Sequence, residues 1–263
     1  MTISTVGTRI DPPAVRQIGM EDPWTWLAAG WRDLWRVPHI SLGYGLVVAA
    51  ASYLLTWALL ELDAIALVLP LAAGFLLIGP MLAVGLYEAS RRLERGQPIA
   101  WRQIALVEVA SPTQLALLGG VLCFALLVWW RLASLLFALF YGLDGAPPLD
   151  AWIDLLLFTP KGLIFLIVGS AVGGVLAALI FAISAVSVPL LMVQRRDAIT
   201  AILISLDAVR RNPRPMLLWA WLIAFLTGFG IVTLYVGLIV VFPLVGHATW
   251  HAYRALVHDQ TGS

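Results

Sequence analysis

Lysine is all but missing from this chain. Lys161 is the only one among 263 residues, against fifteen arginines. Cysteine is as scarce: Cys123 stands alone, which excludes a disulfide framework and any multi-cysteine metal site. Charged residues of all kinds make up 12% of the sequence, whereas a soluble domain carries about a quarter. The net charge of +1 gives no field that would attract nucleic acid. Enzyme signatures are missing too. There is no Gly-x-Ser-x-Gly elbow, no P-loop and no Gly-x-Gly-x-x-Gly turn after a strand. No acidic or basic residue falls at the middle of a long apolar run, which argues against an ion-coupled pump or transporter.

What is present is apolar. Hydrophobic residues make 61% of the chain and the mean hydropathy is +0.93. A chain of this size cannot hide that much apolar surface inside itself, so lipid must solvate much of it. The expected class is an all-α polytopic membrane protein. Six apolar runs are long enough to cross a hydrocarbon core of about 30 Å: 39–60, 64–87, 113–132, 162–194, 216–233 and 234–257. Apolar character continues beyond Leu132 to Tyr141. The third run is read as ending at Trp129-Trp130-Arg131, with 135–157 forming a cap broken at 144–148; one long tilted helix is the alternative.

Three shorter stretches show helical periodicity with one apolar face: 22–37, 99–109 and 197–211. The first, DPWTWLAAGWRDLWRV, places Trp24, Leu27, Trp31, Leu34 and Trp35 at helical spacing with charges between them, a pattern suited to the headgroup region. Arginine placement orients the whole. With the N-terminus on the cytoplasmic side, fourteen of the sixteen Lys and Arg fall on that side. Residues 1–20 read as a flexible cytoplasmic tail, 21–258 as one six-span membrane domain and 259–263 as a second tail. Such a chain is expected to cross a membrane several times with both termini on the cytoplasmic side.

The order of elements repeats three times. An amphipathic helix ends before Pro38, Pro112 or Pro213; two spans follow as a hairpin, the second interrupted by Pro80, Pro189 or Pro243. A proline inside a helix removes one backbone hydrogen bond and bends it, so these three positions are expected kinks. Eight residues beyond the three prolines stand Glu88, Asp197 and His251, and eleven beyond the first and last stand Arg91 and Arg254.

The segment 241–257 carries the chemistry. His247 and His251 are one helical turn apart and share a face. Glu88, Asp197, His247, His251 and Arg254 form the expected polar cluster at the cytoplasmic face. His247 and His251 are also the candidate metal ligands, but His-x-x-x-His lacks the glutamate of a zincin helix, and structural histidines are the simpler reading. No cofactor is expected; haem or copper at these two histidines is the rival. Trp24, Trp31, Trp35, Trp129, Trp130, Trp250 and Tyr253 read as interfacial anchors.

The stretches DPWTWLAAGWRDLWRVPHISLGYGL (22–46), GFLLIGPMLAVGLYEASRRLERG (74–96), FAISAVSVPLL (181–191) and GHATWHAYRALV (246–257) resemble a bacterial family of predicted integral membrane proteins, domain of unknown function 2189. That resemblance implies a membrane topology and no defined activity. Some family members carry a cytochrome c oxidase subunit label, which motivates the redox rival. The family pattern has an acidic–basic pair after the middle proline, where this chain reads Val193-Gln194. The expected function is that of a non-enzymatic structural or accessory membrane protein handling a lipid or small hydrophobic molecule. Redox association is the first alternative and transport the second. The expected partners are the bilayer and another membrane protein, not nucleic acid.

Overall fold

The structure, a computed structural model, describes residues 15–62, 64, 67–142 and 151–257. Residues 1–14 and 258–263 of the two expected tails, with His258, lie outside them, as does the break expected at 144–148. The fold is all-helical. Among the described residues the β-structure is one isolated bridge, Val15 to Val257.

Among the described residues twelve helices follow in order: α1 Asp22–Arg36, α2 Pro38–Glu61, α3 Val68–Leu82, α4 Val84–Glu94, α5 Trp101–Ala105, α6 Pro112–Tyr141, α7 Ala151–Leu157, α8 Pro160–Ser184, α9 Ser187–Val193, α10 Ala198–Arg211, α11 Pro213–Val232 and α12 Leu238–Leu256. Five helical stretches are long and apolar enough to cross a membrane: Pro38–Glu61, Val68–Glu94, Pro112–Tyr141, Pro160–Val193 and Pro213–Val232. The sixth expected span corresponds to α12 and is not one of these five. Its 19 residues include two histidines, a threonine and an arginine, which lower its hydropathy, and it is the most enclosed of the long helices.

Proline starts four of the long helices, one of them α8 at Pro160, where the preceding Thr159 is extended at φ −116°, ψ 143°. Pro38, Pro112 and Pro213 sit at the first positions of α2, α6 and α11, where a missing N–H costs nothing. The residues before them share one backbone geometry: Val37 at φ −133°, ψ 57°, Ser111 at φ −132°, ψ 69°, and Asn212 at φ −128°, ψ 52°. The following proline ring excludes the helical region at each of these residues, so the preceding element must stop there.

Two elements differ from expectation. The amphipathic helix expected over 99–109 is only α5, one turn and a half; the chain beyond it leaves the helix to bond α9, through Ala110 N to Met192 O and Ser111 N to Leu191 O. α6 runs unbroken to Tyr141, so the third span does not end at the tryptophan pair. Helix continuation satisfies the backbone of 133–141, which a cap in an apolar setting would leave unpaired. The short α7 then packs on α8. Near the expected kinks, α3 gives way to α4 at Ala83, three residues past Pro80, and α8 gives way to α9 just before Pro189. There Ser184 and Ser187 donate back to the carbonyls of Ile180 and Ile183. α12 continues without a break past Pro243.

Packing is organised around α12. α1 and α2 both lie on it, α4 and α11 flank it, and a second group forms where α6 packs on α3 and α8. Two glycines set the closest approaches to α12. A Cβ on Gly45 of α2 would stand 2.1 Å from the carbonyl oxygen of Ile239, and one on Gly30 of α1 would stand 2.7 Å from the amide of Ala248. Without side chains the helix backbones meet directly, the device by which membrane helices associate when lipid supplies no hydrophobic drive. Val15 to Ile18 is tied to the same region: Arg16 N donates to Leu256 O, Ile18 N to Asn212 Oδ1, and Asn212 Nδ2 to Arg16 O.

Candidate functional site

α1 presents two unlike faces. Trp24, Trp31 and Trp35 point outward and are about half exposed, while Trp26, Gly30, Asp33 and Leu34 are buried against the bundle. One periodicity thus brings a carboxylate to the protein side of the helix. α12 brings His247 and His251, and α4 brings Glu88 and Ser90.

All of these except Glu88 form one chain of hydrogen bonds, which Ser41 of α2 completes. His251 Nε2 lies 2.7 Å from Asp33 Oδ2. Ser90 donates its hydroxyl to the same Oδ2 at 2.8 Å. His247 Nδ1 lies 2.8 Å from Ser90 Oγ, and His247 Nε2 lies 2.9 Å from Ser41 Oγ. Ser90 has a single proton and gives it to Asp33, so its oxygen accepts from His247 Nδ1–H, and His247 Nε2 accepts from Ser41. The tautomer is set by the network. His247, Ser90 and Ser41 are fully enclosed, and Asp33 nearly so; His251 is the member that reaches the rim. There its Nδ1 stands 4.0 Å from Glu94, which also meets Arg254 at 3.5 Å.

The Asp33 carboxyl is held below the usual carboxylate value. Burial, the largest single influence, pushes it up; the hydrogen bonds from His251 and Ser90 and the charge of His251 together outweigh that. A buried anion with paired donors is the arrangement in which such a charge is tolerated.

The five residues expected to cluster separate into three settings. His247 and His251 belong to the network, with Arg254 joined to it through Glu94. Glu88 is enclosed but bonded to its own helix, to Arg91 at 2.6 Å and Arg92 at 2.7 Å. Asp197 caps α10, accepting from Thr200 N at 2.9 Å, and this bond to Thr200 lowers its carboxyl below the ordinary value. Of the expected anchors, Trp24, Trp31, Trp35 and Trp130 are exposed, whereas Trp129, Trp250 and Tyr253 are buried between helices. Trp129 donates to Pro70 O at 2.7 Å, so its ring bridges α6 to α3 instead of facing headgroups. Asp33, Ser41 and Ser90 escaped the sequence reading. The available signal was Asp33 in phase with Gly30, an acid on the small-residue face.

A second feature is a half-open apolar cleft of about 730 Å³ among α3, α6, α7 and α8. Leu77, Trp129, Phe137, Phe165 and Ala177 line it, with Gly169, Gly173 and Gly174 forming one wall. Trp129 rests on Gly173, where a Cβ would come within 2.8 Å of its ring; Gly169 and Gly174 face open space. The volume falls in the range of about 300–1,000 Å³ typical of small-molecule sites. At one end Phe137 stacks on Trp152 and Tyr141 meets Phe165 edge-on.

Long apolar helices with exposed Leu, Ile, Val and Phe along their outer surface define an integral membrane protein that crosses the bilayer several times. Over residues 68–192 the chain matches the family described as "Predicted integral membrane protein (DUF2189)". Of the four resembling stretches, 74–96 and 181–191 lie inside the matched segment, and 22–46 and 246–257 outside it. Comparison with curated proteins and with solved structures found no match. Among the described residues no group of three or more His, Cys, Asp and Glu side chains is placed to hold a metal ion.

Proposed function

We propose that this is a non-enzymatic accessory protein of the bacterial inner membrane that holds a hydrophobic molecule in the cleft among α3, α6, α7 and α8. The observation that carries the reading is the cleft itself, roomy and almost wholly apolar, set among helices suited to span lipid. The network at His247 has the character of a structural lock: it ties α1, α2, α4 and α12 by side chains whose polar atoms already have partners. A haem or copper role would require His247 to surrender the lone pair that accepts from Ser41.

In the same proposal the chain makes six spans, α12 being the last, arranged as three units. The shared pre-proline geometry at Val37, Ser111 and Asn212 supports the three units. The arginine bias supports a cytoplasmic N- and C-terminus, with α1, α5 and α10 on that side. A reporter fused after Ser263 is expected to be active in the cytoplasm; activity on the opposite side overturns the orientation.

The cleft is tested by filling it. Leucines at Gly169 and Gly174 enter open space and collide with nothing within 4 Å at their first carbon. The Gly169→Leu/Gly174→Leu protein is expected to fold normally and to lose the apolar molecule that co-purifies with wild type in mild detergent, read by native mass spectrometry. Equal retention in both proteins rejects the cleft as the site.

A further inference from the structure

From the cleft's dimensions and the chemistry at its end, we infer that its occupant is one acyl chain of a bilayer phospholipid, with the phosphate held at Lys161 and Tyr141. This inference rests on the reading of the cleft as a binding site and names what binds.

Length comes first. Along α8 the lining runs from Phe165 to Ala177, twelve residues at about 1.5 Å each, or about 18 Å. One leaflet of a hydrocarbon core of about 30 Å is about 15 Å deep. The cleft is therefore as long as an acyl chain in a single leaflet. Its wall is mainly apolar: the Trp129 indole N–H is taken by Pro70 O and the Ser134 hydroxyl by Trp130 O, and Ser170 and Trp152 are the other polar side chains lining it.

The head end follows. The cleft begins where α6 ends and α8 begins, at Gly142, Trp152 and Phe165. Here stands the chain's only lysine, its Nζ 5.2 Å from the centroid of the Tyr141 ring. The Tyr141 hydroxyl is shielded from solvent and has no hydrogen-bond partner among the described residues. The ammonium over the Tyr141 ring face and the unused hydroxyl donor on the same ring complement an anionic oxygen acceptor. Asp154 of α7, near the same end, disfavours a ligand that is only an anion and suits a headgroup that also carries donors. The cleft is half-open along the lipid-facing surface, where its lining residue Leu69 is 59% exposed. One chain of a two-chain lipid can seat while the other stays in the bilayer. A free fatty acid would bring no second chain for that open side.

The test uses the full chain in vesicles of phosphatidylethanolamine and phosphatidylglycerol. These are doped either with phospholipid carrying a photoreactive acyl chain or with a photoreactive fatty acid, and crosslinks are mapped by mass spectrometry. Phospholipid label is expected on Leu77, Trp129, Phe165 and Ala177. It should fall about tenfold in Gly169→Leu and severalfold in Lys161→Gln, and recover in Lys161→Arg, which restores the charge. Lys161 is exposed, so its variants test the headgroup without disturbing packing. Phospholipid label spread evenly onto outward residues such as Ile167 and Val175, or no change in Lys161→Gln, overturns the inference. Preferential cleft labelling by the fatty acid also overturns it, while leaving the cleft as a site. If Gly169→Leu alters the binding of neither probe, the cleft reading itself fails.

Discussion

Gly45→Ala is expected to destabilise the protein by about 3 kcal/mol, the upper end of the usual overpacking penalty. The added carbon would stand 2.1 Å from the Ile239 carbonyl oxygen and within 2.8 Å of two further backbone atoms of the same residue. Backbone cannot rotate away as a side chain can, so α2 and α12 must separate along their contact. That contact is central, because α12 also carries α1 through the Gly30 approach to Ala248. Gly120→Ala is the control: its carbon meets nothing within 4 Å, and alanine favours a helix over glycine. Thermal unfolding in detergent should show Gly120→Ala at or above wild type and Gly45→Ala well below it. Co-melting of Gly45→Ala with wild type would mean that the two helices do not meet as described.

Asp33→Ala is expected to cost about 3–5 kcal/mol, as breaking a buried charge pair from one side does. The loss leaves the Ser90 hydroxyl without its acceptor and His251 without its nearest partner. Asp33→Asn, which keeps shape and one acceptor, should cost less. The pH dependence has a defined sign. The folded carboxyl is lowered below its unfolded value, so its stabilisation is complete above about pH 3.9 and is lost as pH falls through the folded value. Melting temperatures followed from about pH 5 downward should show the advantage of wild type over Asp33→Asn shrinking below about pH 4. An advantage that grew with acidification would contradict the assignment of Asp33 as the buried anion.

Much of the fold could be read from the residues. Membrane class follows from composition, and the starts of α2, α6 and α11 follow from Pro38, Pro112 and Pro213, because proline constrains the residue before it wherever it occurs. The short α5 and the continuous α6 could not be read that way. Each depends on what the neighbouring chain offers its backbone: the carbonyls of α9 in one case, its own next turn in the other. The polar site was half legible. His247 and His251 stand out by spacing, but their partners lie 206, 157 and 218 residues away in sequence, and no local pattern links them. Asp197 and Glu88 share a register with His251 from the prolines, yet a helix cap and two adjacent arginines satisfy them locally.

By itself the sequence determined that the chain lives in lipid, where its long apolar helices begin, and that His247 and His251 share a helix face. Which way each helix turns was decided only by tertiary packing. In water the tryptophan face of α1 would have turned inward. Here Trp24, Trp31 and Trp35 face outward, and the bundle takes the face with Gly30 and Asp33. Lipid matches apolar side chains but offers no hydrogen bond, so the interior goes to small residues that let backbones touch and to polar groups that must find each other.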